Sequence, residues 1–160
     1  MILLIKLLTL IILANSAPIF GRKLFNERFN QPLDRGKLFI DGAPLLGKSK
    51  TIRGIVMAAA LTTPMALLLG FSATTGIAIA LAAMAGDLLS SFIKRRLKKP
   101  PSSQALGLDQ IPESLLPLLA VQQEFSLGLI EISLSVVAFT VFELTVSPML
   151  HKLKIRKKPY

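Results

Sequence analysis

Two aspartates followed or preceded by basic residues are the side chains of this sequence best suited to chemistry. Asp87 lies in an apolar stretch seven residues before Lys94, and Asp109 follows the basic run that begins there. An aspartate at the centre of a membrane helix costs about 2.5–3.5 kcal/mol, so intramembrane acids are usually functional. Asp87 is therefore a candidate metal ligand. An ion pair between helices, or a hydrogen bond to a nearby serine, is the alternative.

The residues after Asp87 extend this chemistry along one helix face. Ser90, Ser91 and Lys94 follow it at i+3, i+4 and i+7, which places acid, hydroxyls and ammonium on one stripe of an α-helix. Arg95 and Arg96 come next. Cations at a helix C-terminus also suit the helix dipole and anionic lipid, so anchoring explains part of this cluster.

Asp109 and Gln110 begin a second acidic segment, with Glu113 one helical turn further on. Asp109 could equally be the N-cap of a helix. Because Asp87 and Asp109 fall at the same ends of two consecutive antiparallel spans, they can be neighbours. Magnesium usually takes one or two carboxylates plus substrate phosphates. We therefore expect Asp87 and Asp109 to hold Mg²⁺, with Glu113 as the candidate third ligand.

A third basic segment, at 47–54, precedes another apolar stretch and contains Lys48, Lys50 and Arg53. Residues 42–49 match the pattern G-x-x-x-x-G-K-S, but a P-loop needs a parallel sheet for which this chain has no room. A glycine-containing loop that meets a helix N-terminus still favours phosphate. The segment thus predicts phosphate binding, with membrane anchoring as the alternative. Asn15 either bonds neighbouring helices or reaches the same site.

Composition indicates the elements that must position these residues. The chain has 160 residues, 52% of them hydrophobic, with a mean hydropathy of +0.60 and a net charge of +10. This hydrophobicity excludes a disordered chain. With no cysteine and one histidine, a disulfide framework, a cysteine-ligated zinc site and a histidine-based triad are also excluded. The sequence predicts a small polytopic membrane protein.

Five apolar segments are candidate membrane spans. They are Ile2–Phe20, Gly54–Leu69, Ser72–Ile93, Gly107–Val121 and Leu127–Leu150. The fourth segment is only a weak candidate by hydropathy, so the distribution of charge decides whether it counts as a span. All of the 19 Lys and Arg residues except Lys6 fall within 22–53, 94–99 and the tail, and five spans with an outside N-terminus place all three clusters in the cytoplasm. Four spans would put the basic tail outside.

We therefore expect an all-α integral membrane protein. Residues 1–160 should form one domain, a bundle of about five transmembrane helices with the N-terminus outside and the C-terminus cytoplasmic. Cytoplasmic loops are expected at about 21–53 and 94–110, with a basic tail at 151–160. The first span could be a signal peptide, but Pro18 directly after Ala17 disfavours cleavage there. Glu131 and Glu143, in the last span, are interpreted as bundle-interior or interfacial acids.

The order of these motifs resembles the CDP-archaeol synthase family of small membrane cytidylyltransferases. The family patterns are A-N-x-x-P, P-[IL]-D-x-G-K, D-G, G-x-x-K-T-x-R-G, G-D-x-x-x-S-F-x-K-R-R and L-D-Q. The matching stretches are 14–18, 32–37, 41–42, 47–54, 86–96 and 108–110. The resemblance extends over roughly residues 13–110. Five ordered motifs, with D-G and G-x-x-K-T-x-R-G counted as one, make it specific.

The resemblance implies a reaction in which CMP passes from CTP to a lipid phosphate, archaetidic acid-like or phosphatidic acid-like, with release of pyrophosphate. It implies Mg²⁺, about five spans and an active site at the cytoplasmic face of the cell membrane. CTP, the lipid phosphate and membrane lipids are then the partners. Nucleic acid is not expected, because the basic residues are separated by spans and the chain has no aromatic platform.

The resemblance also suggests site residues. The catalytic residues would be Asp87, Asp109 and Lys94. Nucleotide and phosphate groups would be bound by Asn15, Asp34, Lys37, Lys48, Lys50, Thr51, Arg53, Ser90, Ser91, Arg95, Arg96 and Gln110. Two departures stand out: Ile111-Pro112 replace a further acid that often follows L-D-Q, and Ile52 replaces an aromatic residue. A non-enzymatic membrane protein, a transporter or an assembly factor, is the competing hypothesis.

Overall fold

The chain is described from a computed structural model, which covers residues 1–100 and 103–152, with the backbone alone at 150–152. Its five helices are α1 (Ile2–Phe25), α2 (Ile52–Leu68), α3 (Ala73–Arg96), α4 (Gln110–Ala120) and α5 (Leu129–Lys152). Within the described ranges there is no strand, and only two isolated bridges, Pro32 with Thr51 and Leu38 with Pro44, pair extended backbone. The all-α prediction is confirmed.

The helices differ from the predicted spans mainly at their ends. α1 continues through Pro18 to Phe25, because neighbouring helices can satisfy the backbone groups that a proline frees. α2 begins after Thr51, whose Oγ1 accepts the N–H of Gly54 at 3.2 Å and so caps the helix. The two long loops, which overlap the basic clusters at 22–53 and 94–99, are therefore 26–51 and 97–109. Residues 153–160, most of the predicted basic tail, lie outside the described residues.

Three helices, α1, α3 and α5, are long and apolar enough to cross a membrane, and α2 is a shorter apolar helix of 17 residues. α4 has only 11 residues, about 16 Å at 1.5 Å per residue. Its flanking turns extend it. Asp109 pairs with Lys94 near the last turn of α3, and Glu124 accepts a hydrogen bond from Thr75 at the first turn. Together with its flanking turns, α4 therefore lies along most of the length of α3.

The interior changes character along the bundle. Large aliphatic side chains such as Leu7, Leu10 and Ile79 fill the half remote from the two long loops. Nearer those loops, small residues including Ala17, Ala58 and Ala80 form the packed centre. Small side chains allow helix backbones to approach closely in membrane bundles. The charged residues described next lie beyond this alanine-rich layer.

A close approach between α3 and α4 fixes the turn that carries Asp87. A Cβ added to Gly86 would overlap the backbone carbonyl of Pro112 on α4 and come within 2.8 Å of the Glu113 nitrogen. Only glycine allows this contact between α3 and α4. Pro112 itself fits here, because the first turn of a helix has N–H groups without helical partners. The residue pair Ile111-Pro112 therefore belongs to the start of α4.

Candidate active site

A lysine–aspartate pair forms the centre of the candidate site. Lys50, just before the cap of α2, places its Nζ 2.5 Å from Oδ1 of Asp87 on α3. The two side chains remain 18% and 23% exposed. Burial acts to lower the pKa of Lys50, but the charge and hydrogen bond of Asp87 outweigh it, and the net shift is upward. Lys50 is therefore an ammonium at any physiological pH.

The pairing shows that one of the two alternatives for Asp87, an ion pair between helices, is present. Ser90 donates its hydroxyl hydrogen to the Gly86 carbonyl at 2.8 Å, so it bonds to its own helix. The interhelical ion pair is present, and it joins two segments that both carry predicted site residues. Asp87 thus faces the junction of α2, α3 and α4 rather than lipid.

Glu113 brings a second carboxyl group to Asp87. Glu113 is buried, and its carboxyl group is close enough to Asp87 for the two charges to interact. Two neighbouring carboxylates repel each other, and the Lys50 ammonium offsets this repulsion. Asn15 of α1 donates from Nδ2 to the backbone carbonyls of Ile11, at 3.0 Å, and Glu113, at 3.4 Å. Asn15 thus ties α1 to the turn of α4 that bears Glu113.

Glu143 on α5 is a site residue to which sequence reasoning assigned no role. Its charge acts directly on Glu113, so α5 brings a further acid to the cluster. Ser135 and Ser147 are buried on α5, eight residues before and four residues after Glu143, spacings that keep all three on one broad side of the helix. Polar residues on one face of an apolar helix were the available signal. Glu131, by contrast, is exposed near the start of α5.

Asp109 and Lys94 form a second pair beside the first. Lys94 Nζ lies 2.6 Å from Oδ1 of Asp109 and donates to the Ser103 carbonyl at 3.0 Å. The other carboxylate oxygen accepts the N–H of Ala105 at 2.9 Å. Asp109 occupies the N-cap position of α4 without capping it. Its Oδ1 is buried and makes no hydrogen bond to the described residues, although it faces the Lys94 charge.

The two pairs share one electrostatic environment. The charges of Asp87, Glu113 and Asp109 all raise the pKa of Lys50, so all three acids favour its ammonium form. Gln110 lies beside them, and its Oε1 accepts the N–H of Gly107 at 2.9 Å. In the ranges 1–100 and 103–149, no group of three or more Asp, Glu, His or Cys side chains is placed to hold a metal ion.

A small cleft opens onto the Lys50–Asp87 pair between α1, α2 and α3. Its lining residues are Pro18, Ser49, Lys50, Thr51, Gly54, Ile55, Met84, Asp87 and Leu88. Three of the matched motifs, at 14–18, 47–54 and 86–96, contribute to this one surface. The cleft thus connects sequence segments that are far apart in the chain.

Two predicted phosphate-binding residues organise the α1–α2 loop. The Asp34 carboxylate accepts backbone N–H groups of Gly36, Leu46 and Gly47 at 2.9–3.0 Å. Burial acts to raise the pKa of Asp34, but these hydrogen bonds dominate and the net shift is downward. Arg53 is buried and donates from Nη1 to the carbonyls of Asn26 and Arg28 at 2.7 and 2.6 Å.

The remaining predicted residues divide between exposed and buried positions. Lys37 and Lys48 are exposed, whereas Ser91 is buried in α3. Arg95 is buried and donates from Nη2 to the Pro100 carbonyl at 2.9 Å. Arg96 instead donates to the Pro44 carbonyl at 2.7 Å. The arginines are thus bound to the two loops, while the lysines at 37 and 48 face the surrounding medium.

Known proteins are similar to this chain in sequence and in fold. A family described as "CarS-like: CDP-archaeol synthase" matches residues 1–160. A CDP-archaeol synthase of Sulfurisphaera tokodaii is 36% identical over 136 residues, 81% of each chain. One of Pyrobaculum calidifontis is 31% identical over 156 residues, covering 92% of this chain and 90% of its own.

A solved structure, described as an intramembrane enzyme for archaeal membrane lipids biosynthesis, superposes with a TM-score of 0.71. It is 31% identical in sequence, and the match covers 89% of this chain and 90% of that one. The family match spans the whole chain and agrees with the motifs gathered around the Lys50–Asp87 cleft. The chain belongs to the CDP-archaeol synthase family of CTP-dependent membrane transferases.

Proposed function

We propose that this protein transfers CMP from CTP to the phosphate of an archaetidic acid-like lipid. A lipid phosphate oxygen attacks the α-phosphorus of CTP, a new P–O bond forms, and the bond from the α-phosphorus to the bridging oxygen breaks. Pyrophosphate leaves, and a CDP-activated lipid remains. The names of the relatives described above, CDP-archaeol synthases, favour the ether lipid over a phosphatidic acid-like substrate.

The observation that carries this proposal is the adjacency of two lysine–aspartate pairs where α2, α3 and α4 meet. Lys50 and Lys94 present ammonium groups, while Asp87 and Asp109 lie 2.5 and 2.6 Å from them. A triphosphate needs cations along its oxygens, and carboxylates are needed to bind its metal ion. The cluster supplies both at the ends of packed helices, where the side chains are already positioned.

Catalysis at this cluster would depend mainly on positioning and charge. The attacking lipid phosphate is already ionised, so no strong general base is required. Lys50 and Lys94 would neutralise charge that develops on phosphate oxygens as pyrophosphate leaves. The exposed Lys37 and Lys48 would attract the anionic substrates to the α1–α2 loop. Arg53 and Asp34 would act indirectly, since they hold that loop in shape.

The residues at the site fit a magnesium ion. Asp109 has a buried carboxylate oxygen whose charged neighbour is Lys94 Nζ, 2.6 Å away, and Asp87 shares its surroundings with the carboxyl group of Glu113. Magnesium is typically held by one or two carboxylates and by substrate phosphates, so a third protein ligand is not required. Asp87 and Asp109 would hold it, with Glu113 as a further candidate. When bound, Mg²⁺ would neutralise triphosphate charge and polarise the α-phosphorus.

The topology of the site is proposed to be cytoplasmic. The loops 26–51 and 97–109 lie at the same end of the bundle, since Arg96 donates to the Pro44 carbonyl across them. Both loops adjoin the basic clusters that the positive-inside rule assigns to the cytoplasm. We place the protein in the cell membrane as one multi-pass domain, with five spans and an outside N-terminus.

The test is pyrophosphate release by purified protein in detergent with Mg²⁺. CTP, ATP, GTP and UTP are each combined with archaetidic acid and with phosphatidic acid. We expect turnover that requires CTP, the ether lipid and Mg²⁺, and that stops when EDTA is added. Turnover with phosphatidic acid at the same rate would contradict the lipid assignment. Folded protein without turnover on any pair would favour the non-enzymatic alternative, which family membership now disfavours.

A further inference from the structure

An ordered hairpin with exposed apolar side chains projects from the α1–α2 loop. Residues 37–45, here called the hairpin, are closed by the hydrogen bonds from Leu45 N to the Lys37 carbonyl and from Phe39 N to the Ala43 carbonyl, both 2.9 Å. At its turn, the Asp41 carboxylate accepts the N–H of Ala43 at 3.0 Å. The segment therefore has a defined conformation and two distinguishable sides.

The two sides of the hairpin carry different contacts. Leu38 lies in extended backbone, where successive side chains point to opposite sides, and Ile40 begins the turn. Phe39 packs edge-on against Phe92 of α3, with ring centroids 5.3 Å apart. Leu38 and Ile40, its neighbours in sequence, are 65% and 95% exposed. The two large aliphatic side chains thus project away from the bundle, whereas Phe39 attaches the hairpin to α3.

The contacts with α3 determine the depth of the hairpin relative to the membrane. Arg96 lies over the Phe39 and Phe92 rings, at 4.5 and 4.9 Å from their centroids, and its Nε is 3.2 Å from Asp41. Phe92 is four residues before Arg96, the last residue of α3. The end of a spanning helix lies where hydrocarbon gives way to lipid headgroups. The hairpin is therefore held beside this boundary rather than far out in water.

The charges around the exposed pair identify the partner. Lys37 is directly adjacent to Leu38, and Arg35 and Lys48 belong to the same loop; all three side chains are exposed. The nearest acid, Asp41, is already paired with Arg96. Apolar side chains flanked by exposed cations are typical of segments that lie in the interface of anionic membranes. A lipid surface matches both features.

We propose that the hairpin is a membrane-interface anchor. Leu38 and Ile40 insert among the headgroups of the membrane that contains the helices, and Lys37, Arg35 and Lys48 contact anionic lipid phosphates. The α1–α2 loop, which also supplies Lys50 to the candidate site, is thereby held down at the bilayer surface. This inference depends on the spanning topology and not on the catalytic assignment.

Tryptophan fluorescence provides the test, because the chain has no tryptophan of its own. The Ile40→Trp protein is reconstituted in anionic vesicles whose acyl chains carry bromine, a quencher. Leu134→Trp, at an exposed position of α5, is the membrane-embedded reference, and Gln104→Trp, exposed in the other loop, is the aqueous reference. We expect blue-shifted emission from Ile40→Trp, with quenching about half that of Leu134→Trp.

Several outcomes would overturn the proposal. Emission and quenching equal to those of Gln104→Trp would place the hairpin in water. A blue shift without quenching would place Ile40 against protein, most simply a second copy of the chain. Quenching of Ile40→Trp that is equal in zwitterionic and in anionic vesicles would contradict the proposed role of Lys37, Arg35 and Lys48. None of these readouts requires turnover, so they remain informative even if the proposed reaction is absent.

Discussion

The Lys50–Asp87 pair gives the sharpest prediction about stability. Lys50→Met removes the ammonium and leaves Asp87 next to the Glu113 carboxyl group without its direct counter-ion. Breaking one side of a buried ion pair costs about 3–5 kcal/mol. Both side chains retain about a fifth of their exposure, so we take the lower end, about 3 kcal/mol. The Coulomb attraction of two unit charges about 4 Å apart is similar, about 4 kcal/mol at an effective dielectric constant of 20.

The assay is unfolding of the purified protein in mixed micelles, with Lys48→Met as the matched control. Lys48 is an exposed lysine two residues away, so its loss should change the free energy of unfolding by no more than about 0.5 kcal/mol. The double variant Lys50→Met/Asp87→Asn should regain most of the stability, because it removes the stranded charge. Equal effects of Lys50→Met and Lys48→Met, or no recovery in the double variant, would refute the reasoning.

Three further predictions concern the packing and the loops. Gly86→Ala should destabilise the protein by about 1–3 kcal/mol, since its Cβ would overlap the Pro112 carbonyl; thermal unfolding measures this. Asp34→Asn should cost about 1–3 kcal/mol at neutral pH through its lost charged hydrogen bonds. Because folding lowers the pKa of Asp34, its stabilisation is present above 3.8 and lost as the pH falls through the folded-state value, so the two proteins should converge in acid. Asn15→Ala should lower turnover by shifting α4, with substrate KM less affected than kcat.

Each of these has a matched control in the same chain. A Cβ at Gly128 would meet only the flexible Glu131 carboxylate, so Gly128→Ala should cost far less than Gly86→Ala. Glu27→Gln, at an exposed acid in the same loop as Asp34, should show no converging pH dependence. Thr9→Ala changes a polar residue on α1 that bonds only within its own helix, so turnover should be unchanged. Effects of equal size in a variant and its control would contradict the assigned contact.

Much of the fold could be predicted, because apolar segments indicate where the helices lie and charge clusters indicate where they end. The weak segment around Gly107–Val121 was recovered from charge alone, and a helix does lie there. The segment was expected to be short, tilted or partly broken, and α4 is short, with 11 residues. Pro112 and Pro117 lie within or at the start of α4, and the ends of the segment depend on contacts with α3, such as that between Thr75 and Glu124. Such contacts form between residues 49 apart in the sequence.

The site was predicted in its residue types but not in its pairings. Asp87 and Asp109 stood out as acids near basic runs, and the structure gives each of them a lysine. No local pattern indicates that Lys50 would meet Asp87, because that contact depends on how α2 packs against α3. Glu143 was expected to be a bundle-interior or interfacial acid, but its approach to Glu113 could not be predicted, because it follows from the docking of α5 on α4. Local sequence specifies helices, whereas their mutual rotation is decided by the whole packed interior.

The assignment of the site to cytidylyl transfer can be tested most directly with one pair of variants. Formation of CDP-lipid from CTP is measured for Asp87→Asn and for Glu124→Gln, an acid at the opposite end of the bundle that contacts only Thr75 among the hydrogen bonds described. Both must elute and unfold as the unmodified protein does. We expect Asp87→Asn to lose at least about a hundredfold in kcat, and Glu124→Gln to retain full activity. Full activity in folded Asp87→Asn would contradict the account.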